Sequence, residues 1–358
     1  MVRLLTILAL SVCFVTAHAD VTITDIIGRK VKLPAKKIER IIPLASSMSF
    51  VSFLNAQNLV VGVEKTDRMN HVKRTYVYVN KPLTDKLPVI GEGGAARRPN
   101  MEAMIALKPD IVFTITADAS EADLLQRKLR VPVVVLSYGY TGVELETVYK
   151  SLRLAGQILG KTDRAQQIIS YVEGLKKELS YRPEKPAKAY IGAVSYKGIR
   201  GIDSTEANFL PFRLAGIENA ADAAGRKGHL FLEKEFVVML NPPLVFIDSA
   251  GFATASQQAA KNPELYKRLS AFKTGNAYLI PANTFYYINI DLMLSNAFFM
   301  AKTAYPERYK TLDPEKKAGE IVKAFTGQNV FDVIKKDSGG YKRISLAPDG
   351  FRTEDIKW

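Results

Sequence analysis

At 358 residues the chain is longer than one hydrophobic core usually serves, so two domains are expected. Hydrophobic residues make up 47% of it and charged residues 24%, which excludes an intrinsically disordered chain. The formal net charge of +14 would suit nucleic acid, an anionic membrane or an anionic small ligand. The Lys and Arg residues are scattered, without a basic run or interleaved aromatic residues, which argues against nucleic acid.

The first nineteen residues are predicted to be a secretory signal peptide. Arg3 gives a positive start, residues 4–15 are apolar, and Ala17-His18-Ala19 is a small-x-small cleavage site. Cleavage after Ala19 would give an exported mature chain, and lipid attachment at Cys13 is the minor alternative. The apolar run is too short to span a bilayer, so no stable membrane insertion is expected. Because Cys13 is the only Cys, the mature chain can form neither a disulfide nor a thiolate metal site.

Residues 20–143 alternate predicted strands and helices. Residues 21–33 alternate apolar and polar side chains around Gly28, which predicts a hairpin. Further strands are predicted at 38–44, 59–63, 87–90, 111–115 and 131–136, and helices at 48–54 and 121–130. Such alternation predicts an N-terminal α/β lobe with parallel strands. No element is predicted between residues 64 and 86, where the chain is polar and aromatic.

A helix–Pro–strand unit occurs twice, at residues 100–113 (NMEAMIALKPDIVF) and 235–246 (EFVVMLNPPLVF). In each copy a Glu, Glu102 or Glu235, stands seven residues before a Pro. That Pro lacks the N–H that continues a helix, and the apolar run after it is typical of a buried strand. The repeat predicts two similar α/β lobes with a functional cleft between them.

Residues 144–182 are predicted to be a linking helical tract between the lobes. Apolar residues recur there at helical spacing, with one break at Gly160. The C-terminal lobe is predicted over residues 183–358. Its strands are predicted at 189–194, 244–247 and 276–280, and its helices at 209–215, 235–240, 292–304 and 315–325. Beyond residue 325 the pattern is poorly periodic, and extra packing on this lobe is expected.

Ligands of open α/β sheets bind outside the carboxyl ends of the strands, so the loops there are the candidate site. The candidate ligand-binding residues in these loops are Arg97, Arg98, Tyr196, Lys197, Arg200, Arg226, His229, Tyr286 and Tyr287. Arg binds carboxylate, phosphate or catecholate oxygens in a bidentate manner, and Tyr adds a stacking face and a hydroxyl. The set predicts a bulky anionic ligand with planar groups; ordinary surface charges and rim aromatics are the alternative.

The same loops offer little for catalysis or for a bare metal ion. Neither a Gly-x-Ser-x-Gly elbow nor a His-Glu-x-x-His motif is present. With only His71 and His229 in the mature chain, a His-rich metal site is not expected. Asp67, Asp118 and Asp203 stand singly in loops, without a second carboxylate for acid–base work. A binding protein without a cofactor is therefore predicted, not an enzyme.

The pattern resembles the helical-backbone class (class III) of periplasmic substrate-binding proteins, which serve ABC importers for ferric siderophores, haem and cobalamin. The segments that carry the resemblance are GRKVKLP, IPLASSMSF…LVVGV, NMEAMIALKPDIVF, the tract 144–179 and EFVVMLNPPLVFID. The resemblance implies two Rossmann-like α/β lobes joined by one long, rigid linking helix, with the ligand cleft between them and little hinge closure. It also implies that Glu102 and Glu235, one on each lobe, dock onto Arg residues of the permease. The helix macrodipole favours acids at such first-turn positions as well.

The resemblance does not decide the ligand. The basic, Tyr-bearing loops favour an anionic ferric siderophore-like chelate. Cobalamin is less favoured because the only Trp, Trp358, lies at the terminus, while haem and an oxyanion such as molybdate or tungstate stay open. The expectation is a periplasmic monomer that delivers a small-molecule metal chelate to an inner-membrane ABC permease and its ATPase. The competing interpretations are an exported hydrolytic enzyme that uses the same cleft and an exported adhesive domain.

Overall fold

Residues 21–69, 71–94, 98–115 and 118–357 are described from a computed structural model of the chain. The predicted signal peptide with Cys13, and also Arg97 and Trp358, lie outside these ranges. Within them, no helix is both long enough and apolar enough to cross a membrane.

The N-terminal lobe is a parallel sheet covered by helices. Its strands are β1 (Thr22–Thr24), β2 (Lys30–Lys32), β3 (Ile41–Pro43), β4 (Ile111–Thr114) and β5 (Val133–Val135). Its helices are α1 (Met48–Phe53), α2 (Thr75–Thr84), α3 (Met101–Ala106) and α4 (Ala119–Leu129). β1 and β2 form the predicted antiparallel hairpin, and β3, β4 and β5 pair in parallel in that order. Two isolated parallel bridges, Ile41 to Val60 and Val63 to Val89, lie where the sequence predicts two more strands.

The sequence missed α2, which lies inside the polar and aromatic stretch. The helix contains Pro82 in its last turn, where the missing N–H removes a single backbone hydrogen bond. Its first turn is buried at Thr75, Tyr76 and Val77. α2 is therefore a helix that tertiary burial favours although its residue pattern does not predict it.

Two helices follow the N-terminal lobe, α5 (Leu145–Ile158) and α6 (Thr162–Glu178), with the break where the sequence predicts it. The Tyr149 hydroxyl of α5 donates a hydrogen bond of 2.8 Å to the Glu173 carboxylate of α6. A contact between the first half of α5 and the second half of α6 means that these two consecutive helices fold back on each other. The tract is therefore a helical hairpin, not one continuous rod.

The chain crosses between the lobes in α6. α5 stays with the N-terminal lobe, because the Ser151 hydroxyl donates to the Ser137 carbonyl just after β5, at 2.7 Å. α6 begins beside the same lobe, where Arg164 Nε donates to the Phe53 carbonyl at 2.9 Å, and leads into the first strand of the C-terminal lobe. The linking helix that the resemblance implies is thus the seventeen-residue α6.

The C-terminal lobe is larger. Its strands are β6 (Lys188–Gly192), β7 (Ser204–Ala207), β8 (Glu218–Asn219), β9 (Gly228–Phe231), β10 (Leu244–Asp248), β11 (Ala277–Ile280), β12 (Thr284–Phe285), β13 (Tyr287–Ile288), β14 (Lys342–Ala347) and β15 (Gly350–Asp355). Its helices are α7 (Leu210–Ala215), α8 (Lys234–Leu240), α9 (Phe252–Lys261), α10 (Pro263–Arg268), α11 (Ser270–Lys273), α12 (Ile290–Ala304), α13 (Pro314–Thr326) and α14 (Phe331–Ser338).

The main sheet of this lobe has the strand order β15-β14-β11-β10-β6-β8. β8, β6, β10 and β11 are parallel, while β14 and β15 form an antiparallel hairpin on the edge of β11. The tail thus adds packing to the C-terminal lobe as expected, although this hairpin and α14 were not predicted. β7–β9 and β12–β13 are separate two-stranded hairpins.

One hydrophobic core runs through both lobes. It includes side chains of α1, α5, α6, β6, β10, α12 and α13. Every residue of α12 from Ile290 to Lys302 is buried, and Phe53 of α1 packs edge-on against Phe325 of α13 with ring centroids 5.0 Å apart. A shared core opposes rigid-body opening of the lobes.

Candidate functional site: the cleft between the lobes

The lobes contact each other at the carboxyl edges of their parallel strands, for example at two hydrogen-bonded places. At the first, Asn289 Nδ2 at the end of the β12–β13 hairpin donates to the Lys73 carbonyl at 3.2 Å. At the second, Arg213 Nη2 of α7 donates to the Val143 carbonyl, in the loop after β5, at 3.0 Å. The loops that follow β3, β5, β6, β10 and β11 end at this cleft, as expected for open α/β sheets.

A polar floor on the N-terminal side consists of Ser46, Glu64, Asp67, Arg74 and Tyr76, all of them buried. Arg74 is 0% exposed, and its Nη1 donates to the Tyr76 hydroxyl at 3.1 Å and lies 3.8 Å from Asp67 Oδ1. Arg74 Nη2 donates to the Thr66 carbonyl, and the Tyr76 hydroxyl hydrogen-bonds the Ser46 hydroxyl. The floor is thus one connected polar network around a buried guanidinium.

The floor carries two carboxyl groups. Glu64 Oε2 accepts a hydrogen bond of 2.9 Å from the Ala45 N–H, whereas neither Asp67 carboxylate oxygen has a hydrogen-bond partner among the described residues. Burial, and then the charge of Asp67, raises the pKa of Glu64 to about 7. Burial raises the pKa of Asp67 to about 6, although Arg74 lowers it. The prediction that Asp67 is a lone loop carboxylate is wrong, because the fold brings Glu64 against it.

The described glycine-rich residues 91–94, here called the glycine loop, are shaped by this floor. Gly93 has φ +73°, and a Cβ on it would lie 2.3 Å from Thr66 Oγ1 and 2.9 Å from Glu64 Cβ. Only glycine fits so close to the floor. A Cβ on Gly94 would lie 3.7 Å from Cδ1 of Tyr286 in the opposite lobe. Gly93 and Gly94 therefore lie between the floor and the β12–β13 hairpin, where they have a packing role.

Tyr286 and Tyr287, predicted from sequence, stand over the floor. Tyr286 occupies the tip of the β12–β13 hairpin at φ +62°, and the Arg74 guanidinium carbon lies 5.5 Å from its ring centroid. Next to it, Lys73 Nζ lies 5.0 Å from the Phe285 ring centroid. Burial, followed by the charge of Glu64, raises the pKa of Tyr287 well above its usual value, so its hydroxyl stays protonated. Arg74 is not among the ligand-binding residues predicted from the sequence, although its loop follows a predicted strand at the cleft.

An aromatic wall on the C-terminal side consists of Tyr196, His229 and Phe231. The Tyr196 and His229 rings stack at 4.0 Å with an interplanar angle of 5°, and Phe231 packs edge-on against His229 at 4.7 Å. The Ser204 hydroxyl lies 2.7 Å from His229 Nε2. Burial, and then the charge of Arg200, lowers the pKa of His229 to about 4. His229 is therefore a neutral, hydrogen-bonded ring at neutral pH.

Three of the predicted cations surround this wall. Lys197 Nζ lies 5.5 Å from the Tyr196 ring centroid, and the Arg200 guanidinium carbon lies 5.0 Å from that of Phe231. Arg226 Nη2 donates to the Phe231 carbonyl at 3.5 Å. Tyr196, Lys197, Arg200, Arg226 and His229 are thus brought together as one group. Phe231 contacts all of these residues except Lys197, and the sequence analysis missed it although it alternates with His229 along β9.

The predicted residues therefore fall into two groups, one at the aromatic wall and one over the polar floor. Arg98 is exposed next to the glycine loop and forms no hydrogen bond or ion pair with another described residue. Arg97 lies outside the described residues. The described part of the chain contains no group of three or more His, Cys, Asp or Glu that could hold a metal ion. The donors of the cleft fit an organic or hydrated ligand through hydrogen bonds and ring contacts.

Glu102 and Glu235 occupy equivalent places in the two lobes. Each is exposed in the first turn of a short helix, α3 or α8, that precedes a central strand, β4 or β10. A helix that returns the chain to a parallel strand runs antiparallel to it, so its first turn is level with the cleft. Glu235 also lines a pocket of about 410 Å³ with Asp203 and the half-exposed ring of Phe231.

Five carboxyl groups at the interlobe contact or beside it are buried. They are Glu64, Asp67, Glu206, Asp248 and Asp291. Burial raises the pKa to about 7 for Glu64, Glu206 and Asp248, and to about 6 for Asp67 and Asp291. Asp291 hydrogen-bonds the Thr75 hydroxyl across the lobes, and Asp248 accepts two bonds from Asn283.

These groups predict an unusual pH dependence of stability. A carboxyl group in the unfolded chain titrates near pH 4, so between pH 4 and pH 7 the folded state binds more protons than the unfolded state. The cost of burying ionised carboxylates is therefore present above pH 7 and is relieved as the pH falls. One pKa unit is worth about 1.4 kcal/mol, so we expect the free energy of unfolding to be at least about 2 kcal/mol higher at pH 5.5 than at pH 8.

Chemical denaturation at a series of pH values checks this prediction. Glu206→Gln should reduce the pH dependence, since it removes one of the five groups. Glu121→Gln on the surface of α4 is the matched control and should leave the dependence unchanged. A free energy of unfolding that is flat or falls on acidification would contradict the assignment of these carboxyl groups as buried and protonated at pH 5.5.

Comparisons with known proteins agree with this architecture. The chain is 24% identical over 333 residues to the molybdate-binding protein MolA of Haemophilus influenzae, covering 87% of this chain and 92% of that protein. It is 24% identical over 262 residues to the ferric-anguibactin-binding protein FatB of Vibrio anguillarum, covering 69% of this chain and 77% of that protein. The structure of MolA bound to molybdate matches with a TM-score of 0.69 at 20% identity, over 87% of this chain and 99% of that chain.

Residues 55–284 match the family of periplasmic binding proteins. This range includes the polar floor residues from Glu64 to Tyr76, α6, the aromatic wall and both copies of the helix–Pro–strand unit. The two-lobed α/β fold that the resemblance implied is confirmed. The chain belongs to the periplasmic binding protein family, whose members are the solute-binding components of ABC importers and not enzymes.

Proposed function

We propose that this protein captures an anionic ferric siderophore-like chelate in the periplasm and delivers it to the permease of an ABC importer. The observation that carries the proposal is the pairing of aromatic rings with cations at two places in the cleft. Tyr196 lies beside Lys197 at the aromatic wall, and Tyr286 lies over Arg74 at the polar floor. A ferric chelate of this type offers planar faces for the rings and negative oxygens for the cations.

The polar floor favours a large chelate over a small dianion. A bare oxyanion seated at the floor would lie close to Glu64 and Asp67, whose ionised forms repel it. A larger ligand can present hydroxyl and amide groups to the floor. Such groups can donate hydrogen bonds to the Asp67 oxygens, which have no hydrogen-bond partner among the described residues. The name of FatB, ferric-anguibactin-binding protein, supports the idea that this fold holds such a ligand.

Molybdate or a related oxyanion is the second candidate. The match to MolA, a molybdate-binding protein, covers 87% of this chain, which is more than the match to FatB covers. Arg74, Tyr76 and the Ser46 hydroxyl would supply the hydrogen-bond donors. Oxyanion binding would require Glu64 and Asp67 to be protonated, so its affinity should rise as the pH falls from 8 to 6.

The remaining parts of the proposal concern export and docking. We propose cleavage after Ala19, function as a monomer, and contact of Glu102 and Glu235 with Arg side chains of the permease, which works with its ATPase. Both carboxylates are exposed, and neither forms an ion pair with another described residue. Exposed carboxylates at equivalent places in two lobes suit a partner with two equivalent basic sites.

Native mass spectrometry of the protein purified from its own periplasm, with metal analysis of the bound species, tests the ligand. We expect a mature chain that starts at Asp20, with a bound organic species of several hundred daltons that contains iron in equimolar amount. Tyr286→Ala and Tyr196→Ala should each lower the bound fraction, because each removes one of the two rings that are paired with a cation.

Other outcomes of the same experiment are equally informative. Bound molybdenum or tungsten without an organic component would overturn the chelate in favour of the oxyanion. Bound porphyrin or corrinoid would assign haem or cobalamin instead. Turnover of a test ester or phosphate by the ligand-free protein would overturn the transport role altogether.

A further inference from the structure

The ring of Tyr286 lies between the buried guanidinium of Arg74 and solvent. Arg74 is 0% exposed, and its guanidinium carbon lies 5.5 Å from the centroid of the Tyr286 ring, which is itself 44% exposed. The exposed residue Met69 also contacts Arg74, but through its backbone carbonyl, which accepts a hydrogen bond of 3.2 Å from Nη2. Tyr286 is therefore an exposed side chain that covers a buried cation.

Arg74 keeps one hydrogen-bond donor that the fold does not use. Its Nη1 donates to the Tyr76 hydroxyl, and its Nη2 donates to the carbonyls of Thr66 and Met69. Its Nε–H is buried and has no hydrogen-bond acceptor among the described residues. A buried donor without an acceptor is costly, so this N–H favours any anionic oxygen that reaches it. An oxygen of a ligand reaches it only if the cover moves, because Arg74 has no exposed surface in this structure.

The cover is weakly held at a strained turn. Phe285 pairs with Tyr287 in the β12–β13 hairpin, so Tyr286 alone forms the turn, at φ +62°. A residue other than glycine is strained at this φ, and such strain is commonly stored at functional sites. The Tyr286 hydroxyl forms no hydrogen bond with a described residue, and its ring lies edge-on to Phe285 at 5.2 Å and next to Gly94. Ring contacts at exposed positions are weak, so little holds the Tyr286 ring in place.

The base of the hairpin is fixed, so the ring can move without the strands. The Asn289 N–H donates to the Asn283 carbonyl at 2.9 Å, and the Asn283 N–H donates to the buried Asp248 carboxylate at 2.9 Å. The Phe285 side chain, next to the tip, is buried as well. Movement is therefore confined to the turn and to the Tyr286 side chain.

We propose that Tyr286 is a removable cover that controls the access of the ligand to Arg74. The ring has two positions, one over the guanidinium, as in this structure, and one swung away from it. In the second position an anionic oxygen of the ligand accepts a hydrogen bond from the Arg74 Nε–H, and the displaced ring packs against the ligand. This inference rests on the proposed capture of an anionic ligand and adds the residue that gates the central cation of the cleft.

The exchange selects an anion that carries a planar group. A charge-assisted hydrogen bond from Arg74 to an anionic oxygen is stronger than the cation–π contact that it replaces. The released Tyr286 ring can stack on the planar group of the ligand. A neutral ligand offers Arg74 no opposite charge, so it leaves the ring in place. Tyr286 and Arg74 therefore act together as a filter for charge.

Labelling with phenylglyoxal, which modifies accessible arginine side chains, tests the cover without any ligand. The reaction rate at Arg74 is measured in the purified protein by peptide mass spectrometry, with the exposed Arg127 as reference. If the swung-away position is populated to about 10% or less, removing the ring raises the rate at Arg74 at least about tenfold. We expect that rise in Tyr286→Gly, because glycine adopts a positive φ without strain. Tyr286→Phe keeps the ring and should keep the slow rate.

Tyr196→Gly is the matched control for the labelling. Tyr196 is also an exposed ring beside a cation, Lys197, but it belongs to the aromatic wall, so its removal should leave the rate at Arg74 unchanged. A slow reaction at the buried Arg29 in every variant shows that the fold is intact. Equal rates at Arg74 in the unsubstituted protein and in Tyr286→Gly would overturn the cover, whether both are fast or both are slow.

Binding kinetics of two anionic probes, followed by tyrosine fluorescence, test the role of the ligand. The probes are molybdate and the tris-catecholate complex of ferric iron. We expect the association rate constant to rise about tenfold in Tyr286→Gly, because the cover no longer has to open first. The dissociation rate constant of the ferric complex should rise by a larger factor, because no ring packs against it. A saturating probe should also protect Arg74, but not Arg127, from phenylglyoxal in this variant.

The outcomes separate this inference from the proposed function. Faster labelling of Arg74 in Tyr286→Gly without a faster association, or without protection by a bound probe, would overturn the gating and leave the capture of an anion intact. If neither probe binds to any variant, the capture of an anionic ligand fails, and the role of the ligand in this inference fails with it. The labelling of Arg74 then still decides whether Tyr286 is a cover.

Discussion

Reversing the charge at both Glu102 and Glu235 is expected to abolish delivery of the ligand to the permease. Each acid is exposed in the first turn of a short helix beside the cleft, so Glu→Arg at either position replaces attraction to a basic partner by repulsion. Losing one close charge pair at an interface costs about 2–5 kcal/mol, which is about thirtyfold or more in affinity. The double variant should show no measurable ligand uptake or permease binding.

Ligand affinity should stay within about twofold in the same variants, because neither acid belongs to the polar floor or to the aromatic wall. Glu121→Arg is the matched control, since Glu121 is also an exposed first-turn acid on a helix of the N-terminal lobe. It should leave both uptake and permease binding unchanged. Loss of ligand affinity in the Glu102 and Glu235 variants, equal to the loss of uptake, would mean that the acids serve the cleft instead.

In the proposed docking, the position of the two acids would also allow a basic protein to contact basic side chains. The formal net charge is +14, so long-range electrostatics alone repel a positively charged surface. At the screening length of about 8–10 Å in physiological salt, local charges decide the contact. Under that proposal, the carboxylates of Glu102 and Glu235 would select the orientation in which both lobes face the permease.

Much of the fold could be predicted because its signals are local. Buried parallel strands such as β4 and β10 are short apolar runs, and the Pro residues before them end their helices, so the repeat is visible in the sequence. The tail hairpin carried a local signal that was missed. Ala347 pairs with Gly350 across Pro348-Asp349, which is a typical turn sequence. The residues on either side of this turn partly alternate between apolar and polar side chains.

The site was only half predictable, because its central residue depends on tertiary contacts. The rings and cations of the loops could be found from composition alone, and the structure gathers Tyr196, Lys197, Arg200, Arg226 and His229 as one group. Nothing local distinguishes Arg74 from an ordinary surface arginine. Its burial follows from Asp67, seven residues earlier, and from Tyr286 on the opposite lobe. The contact of Gly93 with Thr66 and Glu64 likewise arises only when the chain folds.

Arg74→Met is expected to be the most destabilising single substitution at the cleft. Asp67 is 1% exposed and its oxygens have no hydrogen-bond partner among the described residues, so the Arg74 guanidinium at 3.8 Å is the charge that balances it. Breaking a buried ion pair by removing one partner costs about 3–5 kcal/mol. We expect that loss in the free energy of unfolding at pH 8, measured by urea denaturation, together with weaker ligand binding.

The pH dependence of that loss identifies its cause. Without Arg74, the pKa of the Asp67 carboxyl rises above its present value of about 6, so the penalty is present above that pKa and shrinks as the pH falls through it. Combining Arg74→Met with Asp67→Asn should recover at least about 1 kcal/mol at pH 8, since the double variant buries no unbalanced charge. Arg164→Met is the matched control, because Arg164 donates to the carbonyls of Phe53 and Ala324 and forms no ion pair with a described carboxylate. The loss in the free energy of unfolding caused by Arg164→Met should be the same at pH 5 and pH 8. If the loss caused by Arg74→Met were equally constant, Arg74 would support the floor through its hydrogen bonds to carbonyl groups and not through its charge.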